Sequence, residues 1–192
     1  MNKSRWDEII VISARLFREK GYRATTMDDI ASEMNVTKPA LYYYIKTKHD
    51  LLYAICEAAI NRMVEGVRSI MSEPGNTEEH LRRLISWHVN MFSEHGDMIT
   101  VYLAEESELP EDKRAFIRSL SREYETLYRE LLERGIEEGR FRKMDVNMVV
   151  RAISGMCNWL FAWYRPDGRS SADEIAETFY DLILRGCVTR GG

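Results

Sequence analysis

Apolar residues recur at intervals of three and four along almost the whole chain, and no stretch alternates as a half-buried strand would. Near the C-terminus, Ile175, Phe179, Leu182 and Ile183 stand at i, i+4, i+7 and i+8. Near the N-terminus, Ile9, Ile10, Leu16 and Phe17 recur at helical spacing up to Gly21, where a helix would stop. The spacing predicts nine helices and no sheet, an all-α chain. Thr26-Met27-Asp28-Asp29 fits a capping box at the start of a short helix. Asn35-Val36 turns the chain, and Thr37 caps a second short helix with Pro39 in its first turn. A long helix then runs to about Met71, followed by one from Thr77 to Ser93. His95-Gly96-Asp97 should interrupt before a shorter helix carrying Ile99, Tyr102 and Leu103. Pro110 opens a helix to about Gly139, Asp145 caps one running to Trp163, and Ser171 begins the last.

With 192 residues, 45% of them apolar, the chain can bury a sizeable core. Its longest apolar runs, such as Leu51 to Cys56, fall far short of a membrane span. The N-terminus meets Asp7 and Glu8 before any apolar stretch, unlike a signal peptide. Cys56, Cys157 and Cys187 lie scattered in apolar stretches and read as reduced core thiols. A soluble, cytoplasmic protein is expected.

Charge is unevenly placed. Residues 1–50 carry 9 Lys/Arg against 7 Asp/Glu, whereas residues 51–192 carry 18 against 24. The basic part contains two short helices joined by a tight turn over residues 26–48, a helix-turn-helix by pattern. Ala31 is small where the helices must cross, while Val36, Leu41 and Ile45 supply an apolar underside. Thr37, Lys38, Pro39, Ala40, Tyr42, Tyr43 and Lys46 are left on or near the outer surface. From Val36 to His49 there is no acid, yet three lysines and three tyrosines. Three consecutive tyrosines span about 200° of a helix, so they cannot all face one core. Tyr44 is expected to be partly buried, with Tyr42 and Tyr43 exposed. Cations and hydroxyls suit phosphates, and small or apolar groups suit thymine methyls, so the face points to DNA.

The run Ala14-Arg15-Leu16-Phe17-Arg18-Glu19-Lys20-Gly21-Tyr22, continuing through Thr26-Met27-Asp28-Asp29-Ile30-Ala31 to Val36-Thr37-Lys38-Pro39-Ala40-Leu41-Tyr42-Tyr43-Tyr44-Ile45 and Lys48, resembles the DNA-binding head of TetR-family regulators. Departures are small: Ile45 stands where an aromatic is usual and His49 where an acid is usual. The resemblance implies a three-helix head over residues 1–48 and a six-helix body over residues 49–192. It implies a homodimer, formed through the last two helices, whose heads enter the major grooves of a palindromic operator. By family position, Thr26, Thr37, Lys38, Tyr42, Tyr43 and Lys48 contact phosphates or bases, with Thr37 to Ala40 nearest the base edges. Ile175, Phe179, Leu182 and Ile183 then form the dimer stripe.

The body carries an aromatic helix ending Asn158-Trp159-Leu160-Phe161-Ala162-Trp163, with Glu138-Gly139-Arg140-Phe141-Arg142 upstream. This pairing is similar to the subgroup of the family that responds to acyl-CoA and other CoA thioesters. Such an effector needs an apolar slot and cations for its phosphates. His88, Met91, Tyr102, Tyr124, Met156 and Trp159 are the candidate slot, and Arg151 and Arg165 the candidate cations. Trp159, Phe161 and Trp163 could equally fill a dimer seam. The alternative effector is an aromatic or drug-like compound; a ligand-independent architectural DNA binder is a third reading. His80, His88 and His95 could share a stripe but lack metal-binding companions, and satisfied polar-edge histidines are expected. No phosphate loop or nucleophile motif is present, so no enzyme, cofactor or metal is expected.

Overall fold

The computed structural model describes residues 3–187, which contain nine α-helices. These are α1 (Lys3–Lys20), α2 (Met27–Glu33), α3 (Lys38–Tyr44), α4 (Lys48–Ser72), α5 (Thr77–Glu105), α6 (Glu111–Glu137), α7 (Val146–Asn158), α8 (Leu160–Trp163) and α9 (Ala172–Cys187). The number equals that expected, but two assignments differ. His95-Gly96-Asp97 does not end a helix. Only His95 leaves helical geometry (φ −134°, ψ 28°), and α5 continues through it to Glu105. The single helix expected from Asp145 to Trp163 instead ends at Asn158. Trp159 caps it, and the one-turn α8 follows.

The short-range signals act where the sequence placed them. Gly21 adopts φ 87° at the end of α1, and Asn35 φ 53° between α2 and α3. The Thr26 hydroxyl accepts from the Asp29 amide while the Asp29 carboxylate accepts from the Thr26 amide, closing a reciprocal cap. Asp145 caps α7 through the Met148 amide, and Ser171 with Glu174 closes a similar box before α9.

The chain divides into two compact units, and the division falls inside α4, α5 and α6 rather than at residue 48. The first holds the residues up to Asn61 with His95–Ser119; the second holds Arg62–Glu94 with the residues from Leu120 on. In the first unit Ile9, Ile10, Leu16, Phe17, Ile30, Leu41, Leu51 and Ile55 are buried, with Phe17 edge-on to Tyr22 at 5.0 Å. In the second, Leu81, Leu84, Val89, Tyr128, Leu131, Phe141, Ile153 and Leu160 form the core. Cys56, Cys157 and Cys187 are free and buried, and burial pushes the Cys157 thiol up to about 12. Among the described residues no helix is long and apolar enough to cross a membrane.

Candidate nucleic-acid interface

Helix α3 buries one side and presents the other. Leu41 and Ile45 are buried and Tyr44 is half-buried, whereas Thr37, Lys38, Pro39, Ala40, Lys46, Tyr42 and Tyr43 lie towards solvent, Tyr43 with 85% of its surface exposed. The Tyr43 and Tyr44 rings meet edge-on at 5.3 Å, so the exposed ring is braced by its half-buried neighbour. Thr37 caps α3 by accepting the Ala40 amide at 3.4 Å, which leaves its own hydroxyl proton to donate elsewhere. Hydroxyls, small apolar groups and lysines thus share one solvent-facing ridge.

Two expected contacts take other positions. The Lys48 ammonium donates to the carbonyls of Tyr22 (2.8 Å), Arg23 (3.1 Å) and Thr25 (2.9 Å). Its three protons are therefore spent within the fold, and it also lies 4.5 Å from the centre of the Tyr22 ring. Lys48 ties the α1–α2 loop to the start of α4 and is not a free phosphate ligand. The Thr26 hydroxyl donates its proton to Asp29 (2.6 Å), so it too serves the fold and has none for a phosphate.

The cations of the basic head are largely paired, two of them with acids from later in the chain. Arg5 pairs with Glu8, Arg15 with Glu19 and Glu33, Arg18 with Asp97, and Lys20 with Asp29. Arg23 grips Glu108 through two nitrogens, holding that carboxylate below its ordinary range. Lys46 makes no ion pair among the described residues. Lys38 bonds to Asp28 on α2 at 2.9 Å, and both side chains are exposed. Asp28 is the residue the sequence reading passed over. Two acids follow Thr26 and a capping box uses only the one three residues on, which is the signal that could have singled it out.

In the second unit the structure brings His88 and Tyr124 together and adds Asn158 and Tyr128. The imidazole Nε2–H donates to Asn158 Oδ1 at 2.9 Å, so the neutral ring accepts the Tyr124 hydroxyl at Nδ1, 2.8 Å away. The Tyr128 hydroxyl lies 3.2 Å from that of Tyr124 and donates to the Leu84 carbonyl. Burial drives the His88 pKa down to about 4. His80 is also buried, with Nε2 against the Glu73 carbonyl at 3.0 Å. Polar-edge positions were expected for both histidines, but both are buried and bonded within the fold. Met91 is buried in this unit, and Tyr102 is buried in the first. Met156 is half-buried and Trp159 is 60% exposed, so neither is enclosed with His88 and Tyr124. Arg151 and Arg165 are exposed, and Arg165 donates to the Tyr164 carbonyl. Among the described residues no group of three or more His, Cys, Asp or Glu is placed to hold a metal ion.

A groove of about 460 Å³ runs between α7 and α9. Met148, Val149, Ala152, Ile153, Met156, Leu182, Ile183, Gly186 and Cys187 line it, with Arg142 as its charged member. The expected dimer stripe is divided here. Ile175 and Ile183 are buried within their own chain, Phe179 is half-buried, and Leu182 is 61% exposed. One helix face cannot be both core and free surface. Ile175 and Ile183 took the core, and Leu182 with Met148, Trp159 and Trp163 took the surface.

A two-helix motif with a braced, hydroxyl-rich and lysine-bearing outer face, in an all-α chain, defines a helix-turn-helix DNA-binding regulator. Residues 9–55 match the family described as "Bacterial regulatory proteins, tetR family", and residues 74–187 match "Tetracyclin repressor-like, C-terminal domain". The chain belongs to the TetR family and is a regulator rather than an enzyme. Among its relatives, the transcriptional repressor KstR2 of Mycobacterium tuberculosis is 27% identical over 98% of this chain and 95% of its own length. The crystal structure of the regulator PfmR from Thermus thermophilus superposes with a TM-score of 0.89 at 36% identity, over 93% of this chain and 98% of that one. AibR, solved with isovaleryl coenzyme A and operator DNA, gives 0.85 at 28% identity over 94% and 98% of the two chains.

Proposed function

We propose that the protein is a cytoplasmic repressor that binds a palindromic operator as a homodimer and leaves it when a small effector binds, with CoA thioesters as the effector class. The exposed ridge of Thr37, Lys38, Pro39, Ala40, Tyr42, Tyr43 and Lys46 carries the DNA reading, because it sets hydroxyls, lysines and small apolar groups together on the solvent-facing side of α3. Residues 1–48 are the DNA-reading part and residues 49–192 take the effector and dimerise. Within the outer face, Thr26 and Lys48 support rather than touch DNA. The groove between α7 and α9, with Leu182 and Met148 exposed at its edges, suits a second copy in a four-helix seam. A stable seam of that kind buries well above ~1,000 Å².

What supports the effector class is the similarity to AibR, solved with isovaleryl coenzyme A. The test uses a duplex selected by the protein from a randomised library, with release followed by fluorescence anisotropy. A long-chain acyl-CoA should dissociate the complex where free CoA and the free fatty acid do not. Release by an uncharged aromatic or a drug cation would refute the CoA class but keep the effector. No release by any of them would refute both effector classes and favour a ligand-independent DNA binder.

A further inference from the structure

We propose that Asp28 and Lys38 together read one G·C base pair in each half-site, the lysine over guanine and the aspartate over cytosine. The inference rests on the DNA-binding role of α3 and adds a base-reading residue on α2.

Asp28 stands in the first turn of α2, where an acid favours the helix dipole, but it takes no part in the cap. Its neighbour Asp29 does the capping: that carboxylate accepts from the Thr26 amide, the Thr26 hydroxyl and Lys20. The one hydrogen bond described for the Asp28 side chain is to Lys38, and the two side chains remain 66% and 49% exposed. An ion pair this open contributes little to folding. An acid beside a DNA-facing lysine also costs phosphate attraction, a cost that a contact with the bases would offset.

Geometry supplies that use. The ammonium nitrogen and the carboxylate oxygen lie 2.9 Å apart, a donor next to an acceptor. In a Watson–Crick G·C pair, guanine O6 and cytosine N4 are hydrogen-bonded and so also about 2.9 Å apart. They present an acceptor next to a donor in the major groove. Laid against this edge, Lys38 donates to O6, with N7 beside it as a second acceptor, and Asp28 accepts the groove-side N4 proton. The other pairs fit worse. A reversed C·G pair sets ammonium against an amino group and carboxylate against O6. Thymine over Lys38 keeps the couple, O4 before the ammonium and the adenine N6 amino group before Asp28, but sets its methyl group where guanine has N7, so the ammonium loses its second acceptor and meets an apolar group instead. Adenine over Lys38 offers the ammonium an amino group. The outer face of α3 has no Arg, Asn or Gln, the usual bidentate readers, which leaves this couple as its strongest donor–acceptor pattern.

The test is selection from a randomised duplex library with the wild-type chain, Asp28→Ala and Lys38→Ala, each checked for folding by its thermal melt. Wild type should enrich palindromic sites with one invariant G·C pair per half-site. Asp28→Ala should admit other pairs at that position alone, with discrimination there falling between about fivefold and about a hundredfold. A second measurement needs no variant. On the selected duplex, 7-deazaguanine or N4-methylcytosine at that pair should each weaken wild-type binding, while the same bases elsewhere in the half-site should not. Unchanged selection by Asp28→Ala, or a uniform gain in affinity for all sequences, would overturn the inference and leave the DNA reading intact. Failure of the wild type to enrich any duplex would overturn the DNA reading and this inference with it.

Discussion

The ammonium of Lys48 lies 2.8 Å from the carbonyl oxygen of Tyr22 and 4.5 Å from the centre of that residue's own ring. Two further carbonyls complete its donor set, so one side chain closes the loop between α1 and α2 against the first turn of α4. Lys48→Ala should therefore cost about 1–2 kcal/mol, less than a fully buried charged bond because the site is half open. For a chain of this size that lowers Tm by a few degrees. The salt dependence of DNA binding by the folded variant should stay as in the wild type. A slope shallower by about one unit would return Lys48 to the phosphate-binding set.

Tyr42 and Tyr43 should behave in the opposite way. Both are exposed, so Tyr42→Phe and Tyr43→Phe should leave the melting curve within about 0.5 kcal/mol of wild type. Each lost hydroxyl–phosphate bond should weaken operator binding by about fivefold per head. Unchanged anisotropy titrations for both variants would take the tyrosine hydroxyls out of the interface.

His88 sets a pH dependence whose sign follows from its burial. Its folded pKa of about 4 lies below the ordinary histidine value of 6.5, so the unfolded chain takes up a proton first as pH falls. The stabilisation from keeping the ring neutral is complete above pH 6.5 and is lost progressively between pH 6.5 and 4. A shift of that size corresponds to something on the order of 3 kcal/mol. Urea unfolding across this range should show the decline, and His88→Gln should flatten it. An equally steep decline in the variant would assign the effect to other groups.

Gly66 lies against Trp87 so closely that an added Cβ would sit 2.0 Å from the indole Cε2. A bulky, rigid ring cannot step aside cheaply, so Gly66→Ala should destabilise by about 1–3 kcal/mol despite the better helix propensity of alanine. Chemical denaturation reads this directly, and a more stable variant would mean that the two helices can separate at little cost.

The parts of this structure that were legible in the sequence are those fixed by neighbours. Thr26 with Asp29, Thr37 with Pro39, and Gly21 are signals complete within four residues, and each appears where expected. The exposure of Tyr42 and Tyr43 beside buried Leu41 followed from helical angle alone. What escaped is long-range. The carbonyls that take Lys48 lie 23 to 26 residues back, and the partners of His88 lie 36 and 70 residues away. Periodicity finds an apolar stripe but cannot say whether its own chain or another covers it, hence the split of Ile175 and Ile183 from Leu182. The kink at His95 also follows from no local rule: Gly96 looked like a helix end and is not one.

That split decides how the proposed dimer should be tested. Phe179, half-buried, and Ile183, buried, would damage the monomer if charged, so loss of the dimer in those variants would prove little. Leu182 is 61% exposed and lines the groove between α7 and α9, which makes it the informative position. Leu182→Glu should leave the melting transition of dilute protein nearly unchanged in cooperativity while shifting the species in sedimentation from dimer to monomer. In the proposed seam each copy would bury an unpaired carboxylate in an apolar groove, a cost of several kcal/mol that a moderate interface cannot absorb. Operator affinity should fall with it, because one head alone reads only half of a palindrome. A Leu182→Glu chain that stays dimeric and keeps its full operator affinity would place the dimer contact on some other face.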